Sequence, residues 1–144
     1  MYKPLSHDFA TMCDFRAQCH LTTTPDTLKN IKMSDMAETR TIFWSPLKTP
    51  MGYLIWADVN RETILRLYRS GRLPQFDFEW REGKITLILD VVLDPRWKKY
   101  CLQSLRGFIA SKRIVTYVRK GKLKLLLRDK GRHRIQSFAL KKGG

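Results

Sequence analysis

The sequence is poor in cysteine, has no long apolar run and carries almost no acidic residues in its last third. Its three cysteines are too few and too irregularly spaced for a disulfide framework or a metal site, so we expect free thiols, no bound metal and a reducing compartment. No apolar run approaches the ~20 residues of a membrane helix, so no membrane span is expected. The first residues lack the apolar core of a signal peptide, which favours a cytoplasmic protein.

The absence of internal repeats and of Gly/Ser-rich linkers favours a single domain over residues 1–144. A chain of this length can bury a core without the help of disulfides or metals. Its hydrophobic share of 43% and aromatic share of 11% are typical of a globular protein rather than a disordered one.

Positive charge is concentrated at the end of the chain. Residues 91–144 contain sixteen Lys or Arg and only two Asp or Glu, which accounts for nearly all of the net charge of +15. Such a field attracts an acidic partner and speeds its association. Nucleic acid, an acidic carrier protein and an anionic membrane would all fit, and charge alone does not choose among them.

The spacing of apolar residues predicts an α+β fold. The expected helices cover residues 7–19, 25–37, 60–70 and 94–110. The expected strands cover residues 39–44, 51–58, 84–93, 114–119, 122–128 and 134–140. This order predicts a mixed, mostly antiparallel sheet flanked by helices.

Cap and turn residues support these boundaries. Asp26 and Asn60 are expected N-caps, and Asp94 before Pro95 predicts the start of the last helix. Gly71 predicts the end of the third helix, and residues 73–83 are expected to form a loop.

Two titratable residues are candidates for acid–base chemistry. His20 follows the first helix, and an imidazole titrates near neutral pH, although a lone histidine is more often structural than catalytic. Asp90 interrupts an apolar strand in which Ile88 and Val92 are expected to share its face. A buried carboxylate is costly unless it is paired or functional, whereas the same residue on a solvent face would carry no function.

Several short blocks in register resemble the lysine acyltransferases that activate RTX haemolysin-type protoxins. The resemblance runs from about residue 7 to about residue 131, and residues 113–119 resemble the basic strand that follows the family's late helix. The other blocks are Cys19-His20, Gly52-Tyr53-Leu54-Ile55-Trp56-Ala57, Glu62, Trp80-Arg81-Glu82-Gly83 and Leu87-Ile88-Leu89-Asp90.

The resemblance implies a GNAT-like fold and transfer of a fatty acyl group from acyl carrier protein to internal lysines of a protein substrate, as in protoxin activation. It implies a cytoplasmic bacterial enzyme, often a homodimer, with His20 as the essential histidine and Asp90 as the essential aspartate. The acyl carrier is a donor substrate, so no tightly bound cofactor is expected. Trp80, Arg113 and Arg119 are candidates for lining the acyl pocket or contacting the carrier.

The chain also departs from the family. The serine expected shortly before the histidine is missing from Ala17-Gln18-Cys19, and the glycine expected after the aspartate is missing from Val91-Val92-Leu93-Asp94. The nearest match to the phosphate loop of CoA-dependent N-acetyltransferases, residues 128–133, fails at its last position and precedes no helix. CoA is therefore disfavoured as the donor, because such loops hold phosphate at a helix N-terminus.

The expected mechanism uses His20 as general base on the substrate amine, with a covalent acyl-histidine as the alternative. Asp90 would orient His20 or hold the lysine ammonium, and backbone N–H groups near its strand would stabilise the oxyanion. Trp80, in a loop beside Gly83, is the tryptophan best placed to line an acyl pocket.

Two other functions stay open. A nucleic-acid-binding module could use the basic last third to track phosphates, but the absence of zinc-finger spacing and of an RNP-type aromatic pair disfavours it. A GNAT-like relative with a non-toxin target would keep His20 and Asp90 and change only the acceptor.

Overall fold

The computed structural model describes residues 5–74, 77–129 and 132–140. The helices are α1 (His7–Gln18), α2 (Pro25–Ala37), α3 (Arg61–Ser70) and α4 (Lys98–Ala110). The strands are β1 (Arg40–Trp44), β2 (Pro50–Val59), β3 (Ile85–Leu93), β4 (Ile114–Arg119), β5 (Lys122–Asp129) and β6 (Arg132–Ala139). Short 3₁₀ turns cover Asp77–Trp80 and Pro95–Trp97.

The six described strands form one open sheet in sequence order, β1 to β6. Neighbouring strands are antiparallel, except that β3 and β4 are parallel because α4 crosses over between them. The α+β prediction, with a mostly antiparallel sheet and flanking helices, is confirmed. Gly131, which stands between the last two expected strands in the sequence, lies outside the described residues.

The helices cover both faces of the sheet. Tyr53 and Ile55 of β2 pack against α1 and α2, whereas Leu54 between them packs on the α4 side with Cys101. Successive strand residues point to opposite faces, so β2 is buried on both, which explains its nearly continuous apolar sequence. A third cluster joins α3 to the same face as α1 and α2, through Leu67. Within the described part of the chain, no helix is both long and apolar enough to cross a membrane.

Most of the predicted caps are confirmed. Asn60 caps α3 through Thr63 N–H, and Gly71 ends α3 with a φ of 71°. Asp94 caps through Arg96 N–H as expected, but it caps the 3₁₀ turn Pro95–Trp97, and α4 begins only at Lys98. The N-cap of α2 is Thr24, whose hydroxyl accepts from Thr27 N–H. The expected cap, Asp26, lies two residues later, inside the first turn of the helix.

A β-bulge in β3 changes the face assignment around Asp90. Ile55 pairs with Asp90 and the next residue, Trp56, pairs with Ile88, so Leu89 is an extra residue. Asp90 therefore shares its face with Val92, as expected, but Ile88 packs on the α4 side, and that part of the prediction is wrong. Bulges bend a strand and re-aim its side chains, and this one lies where β3 begins to diverge from β4.

Candidate functional site

A groove opens between β3 and β4. These strands are in register only at Thr86 and Leu87 of β3, and beyond these residues they diverge. The groove between their diverging ends has a volume of about 680 Å³. Its lining is mainly aliphatic, from β3, α4 and β5, and the polar side chains that reach it are Asp90, Tyr117 and Arg119. Concave apolar surfaces with a few polar groups are typical of ligand sites.

Asp90 is held in the wall of this groove by two partners. Arg16 Nη1 of α1 donates to Asp90 Oδ2 at 3.0 Å, and Tyr53 Oη of β2 donates to the same oxygen at 2.5 Å. Arg16 Nη1 also donates to Tyr53 Oη at 2.9 Å, which closes a three-membered cluster. The Asp90 carboxylate is 25% exposed and the Arg16 side chain 8% exposed, so the ion pair lies between the core and the groove.

The cluster shifts the pKa of both partners of Asp90. Burial, together with the hydrogen bond to Asp90, raises the pKa of Tyr53 far above its usual value, so the phenol is a neutral donor at any physiological pH. Burial opposes the charge on Arg16, but the bond to Tyr53 and the nearby Asp90 outweigh it and raise the Arg16 pKa. Arg16 and Tyr53 are therefore constant donors to the Asp90 carboxylate.

His20 lies in the turn that ends α1, in an unusual backbone conformation. Its φ is 57°, in the left-handed region, and its N–H donates to Ala17 O while Leu21 N–H donates to Arg16 O. These two bonds define a Schellman motif, in which glycine is the usual residue at the position of His20. A non-glycine residue in this conformation is strained, and such strain is concentrated at functional sites.

His20 lines a second depression on the other side of the β3 end. This depression, of about 480 Å³, is bounded by α1, the His20 turn and residues 92–96. Leu93 lines both this depression and the β3–β4 groove, so the two are neighbours at one end of the sheet. Among the described residues, the exposed His20 ring has no hydrogen-bond or ion-pair partner.

The structure does not pair His20 directly with Asp90. Among the described residues, no hydrogen bond joins Asp90 to the imidazole that it was expected to orient, and Arg16, one turn before His20 in the chain, is bonded to Asp90 Oδ2. The alternative role of Asp90, to hold the lysine ammonium, stays a prediction. The two candidates instead line adjacent depressions that meet at Leu93. Asp90 Oδ1 has no partner among the described residues, so one carboxylate oxygen stays available.

The other predicted site residues have different outcomes. Arg119 lines the groove, whereas Arg113 precedes the opposite end of β4, where its carbonyl accepts from Arg128 N–H. Trp80 is 0% exposed and packs in the α3 cluster, so its predicted role in an acyl pocket is wrong. Its neighbour Gly83 packs so closely on Val59 that a Cβ would lie 1.6 Å from the Val59 carbonyl oxygen. This block is therefore structural.

The cysteines are poor nucleophiles. The three cysteines are free, and burial raises the pKa of the Cys19 thiol beside His20, with the nearby Asp94 adding to the effect. A thiol is far less nucleophilic than a thiolate, so His20 rather than Cys19 is the reactive candidate of this pair. Within the described ranges, no cluster of three or more His, Cys, Asp or Glu could hold a metal ion.

Sequence reasoning missed Arg16, Tyr53 and Tyr117. Arg16 had a detectable signal, because it lies on the same side of α1 as Phe9 and Met12, which are apolar. A charge on an apolar helix stripe needs a buried partner, and Asp90 is the charge that interrupts the apolar strand β3. Tyr53 gave no comparable signal, because a tyrosine fits an apolar strand without any polar role.

Comparison with known proteins assigns no relative. The chain matches no protein-family model, and no curated protein sequence matches it either.

Proposed function

We propose that this protein is a lysine N-acyltransferase that moves a fatty acyl group from acyl carrier protein to lysines of a protein substrate. The observation that carries the proposal is the pair of depressions at the end of β3, one apolar and containing Asp90, the other containing His20. The family resemblance of the sequence supports the same reaction, with protoxin activation as one use of it. A homodimer and a cytoplasmic location stay predictions.

The β3–β4 groove suits the donor. Its aliphatic walls would take the acyl chain, and Arg119 at the end of β4 would meet the phosphate of the carrier's pantetheine arm. Beyond Leu87 the edge of β3 that faces β4 has no strand partner in the described sheet. Backbone N–H groups on that edge are therefore available to stabilise a tetrahedral oxyanion.

The start of α4 favours a carrier protein over CoA. A CoA pyrophosphate binds best at free backbone N–H groups of a helix start, and Asp94 caps the 3₁₀ turn Pro95–Trp97 that leads into α4. Arg96 N–H and the Arg96 guanidinium both donate to this carboxylate, and these bonds lower the Asp94 pKa. A pyrophosphate would therefore have to displace the Asp94 carboxylate from the N–H group that it already occupies.

The acceptor lysine enters from the His20 side. His20 takes the proton of the lysine ammonium, the neutral nitrogen attacks the thioester carbon, and Asp90 Oδ1 attracts the ammonium before its proton is lost. When the tetrahedral intermediate collapses, the C–S bond breaks, the nitrogen loses its second proton to water, and protonated His20 gives its proton to the departing pantetheine thiolate. General-base catalysis of this kind contributes ~10²–10⁴-fold in rate.

The test uses purified protein, fatty-acyl carrier protein and Nα-acetyl-lysine methyl ester as a generic acceptor. Mass spectrometry detects the ε-amide, and candidate acceptor proteins follow by intact mass. We expect His20→Asn, which tolerates the left-handed backbone, to lower the rate by ~10²–10⁴-fold with unchanged circular dichroism. His7→Asn at the other end of α1 is the matched control. Equal rates in the two variants would overturn the assignment of His20.

A nucleic-acid-binding function is the second candidate. One face of the sheet carries Tyr117, Arg119, Lys122 and Lys124. Tyr117 pairs with Lys124 and Arg119 pairs with Lys122, and the two members on each strand are two residues apart. An aromatic side chain among cations is typical of a surface for single-stranded nucleic acid. Salt-sensitive binding of a fluorescent oligonucleotide, with no acyl transfer from loaded carrier, would favour this function instead.

A further inference from the structure

We propose that Arg16 is a positioning residue that sets the distance between the His20 turn and Asp90. The inference rests on the proposed acyl transfer for its kinetic meaning. Its structural content, that one guanidinium joins two sequence-distant candidates, follows from the contacts of the described residues.

The guanidinium of Arg16 has two sets of partners. On one side, Nε donates to Thr23 Oγ1 at 3.1 Å and Nη2 donates to Thr22 O at 2.9 Å, and both acceptors lie in the chain that follows His20. On the other side, Nη1 donates to Asp90 Oδ2 and to Tyr53 Oη. The main-chain carbonyl of Arg16 also accepts from Leu21 N–H in the Schellman motif.

Through these contacts, the rigid guanidinium of Arg16 holds both the His20 turn and Asp90. The planar guanidinium presents five donors in a fixed fork, so the directions toward the His20 turn and toward Asp90 are coupled. At 8% exposure the Arg16 side chain has little freedom to rearrange. A lysine would keep the charge near Asp90 but could not reach the two threonines at the same time.

The function of such a coupling is geometric. A displacement of about 1 Å between catalytic groups can reduce a rate by about 10²-fold without weakening substrate binding. Tyr53 supports the arrangement from the sheet side, because its hydroxyl holds Asp90 Oδ2 and leaves Oδ1 for the substrate. Arg16 itself does not line the β3–β4 groove and meets its lining only through Asp90.

Arg16→Lys tests the proposal, and Arg40→Lys is its matched control. Arg40 has another largely buried guanidinium, which forms ion pairs with Asp8 of α1 and Asp35 of α2 at the far end of α1. We expect Arg16→Lys to lower kcat for transfer to the lysine ester by about 10²-fold, with KM for the acyl carrier within about twofold. Arg40→Lys should leave both values unchanged, and an equal loss of kcat in the two variants would mean that Arg16 serves only the fold.

A milder variant covers the case in which Arg16→Lys does not fold. Thr23→Val removes the acceptor of Arg16 Nε and leaves the Arg16–Asp90 ion pair intact. We expect a smaller loss, about tenfold, again in kcat rather than KM. Full activity in Thr23→Val would overturn the coupling to the His20 turn.

A third measurement separates this proposal from the reaction itself. Hydrogen exchange in Arg16→Lys should be faster at the His20 and Leu21 amides, which close the turn, and unchanged in α2. If the wild-type protein transfers no acyl group but the exchange result holds, the reaction is wrong and the role of Arg16 in placing the turn remains. Unchanged exchange at both amides overturns that role.

Discussion

His20 combines exposure, strain and a position that favours glycine. The left-handed conformation at the end of α1 is required by the Schellman bonds to Ala17 and Arg16, whatever residue stands there. A histidine at this position loses roughly 1 kcal/mol relative to glycine, because its Cβ is crowded by the backbone. Glu38, Lys48 and Lys120 adopt the same left-handed conformation, so what distinguishes His20 is its exposed imidazole at the edge of a depression.

This reasoning predicts that His20→Gly stabilises the protein while it removes activity. We expect the free energy of unfolding to rise by about 0.5–1 kcal/mol, because glycine adopts this φ without strain. His20→Ala is the control that removes the imidazole but keeps the Cβ, and it should show no such gain. Urea denaturation measures both. A His20→Gly protein no more stable than His20→Ala would show that the left-handed backbone is not strained at this position.

At the same scale, the sequence predicted single residues unevenly. Asp90 was detectable because a carboxylate in an apolar strand is unusual, and the structure gives it partners on its face of the sheet. Trp80 was misassigned because a tryptophan in a loop looks available, although it is 0% exposed. The resemblance block around Trp80 shows that residues in register with a family motif can serve packing alone.

At the scale of elements, local signals placed the helices and strands within a few residues. Side chains that cap a helix act on the nearest backbone groups, so Asn60, Gly71 and Asp94 could be read from the sequence. The bulge at Leu89 could not, because an extra residue in a strand depends on the register of its partner strand. That bulge moves Ile88 to the α4 face and accompanies the opening of the groove.

The Asp94 cap gives a prediction for this scale. Asp94→Ala should lower the free energy of unfolding by ~1 kcal/mol at pH 7, whereas Asp94→Asn should retain most of the cap, because both Asp and Asn accept from the first N–H groups. Bonds to Arg96 lower the pKa of Asp94 in the folded protein. The charge of Asp94 therefore stabilises the fold at pH values above the pKa that this carboxyl has in the unfolded chain. The contribution is lost as the pH falls through the lower pKa of the folded state.

Chemical denaturation at pH 7 and at about pH 2 tests the sign of this linkage. The advantage of the wild type over Asp94→Asn should be present at pH 7 and absent at the acidic end. An advantage that persists at about pH 2 would show that the charge of Asp94 is not its source.

At the scale of the whole molecule, the crossover connection creates the site. The chain passes from β3 through α4 to the parallel strand β4. Because these two strands pair over only two residues each, the groove stays open at their C-terminal ends. The sequence predicted each of these elements but not that two of them diverge. That juxtaposition brings Asp90, Arg119 and the His20 turn to one end of the sheet, and no local pattern encodes it.

This arrangement places part of the positive charge of the last third beside the groove. Lys122 pairs with Arg119 and Lys124 pairs with Tyr117, so both lysines lie on the face of the sheet where these groove residues are found. An acidic carrier that docks there would be steered by this charge, with a strength that falls as salt screens it. The deep part of the groove would be unaffected, because its walls are aliphatic.

We therefore expect Lys122→Glu combined with Lys124→Glu to raise KM for the acyl carrier protein by about tenfold at low salt, with the difference shrinking as ionic strength rises. The same variant should use a fatty-acyl pantetheine thioester, which has no carrier protein, as well as the wild type does. Arg69→Glu combined with Arg72→Glu, at the end of α3 on the other side of the sheet, changes the net charge equally and is the control. An equal rise in KM from both pairs would assign the effect to overall charge rather than to a docking surface.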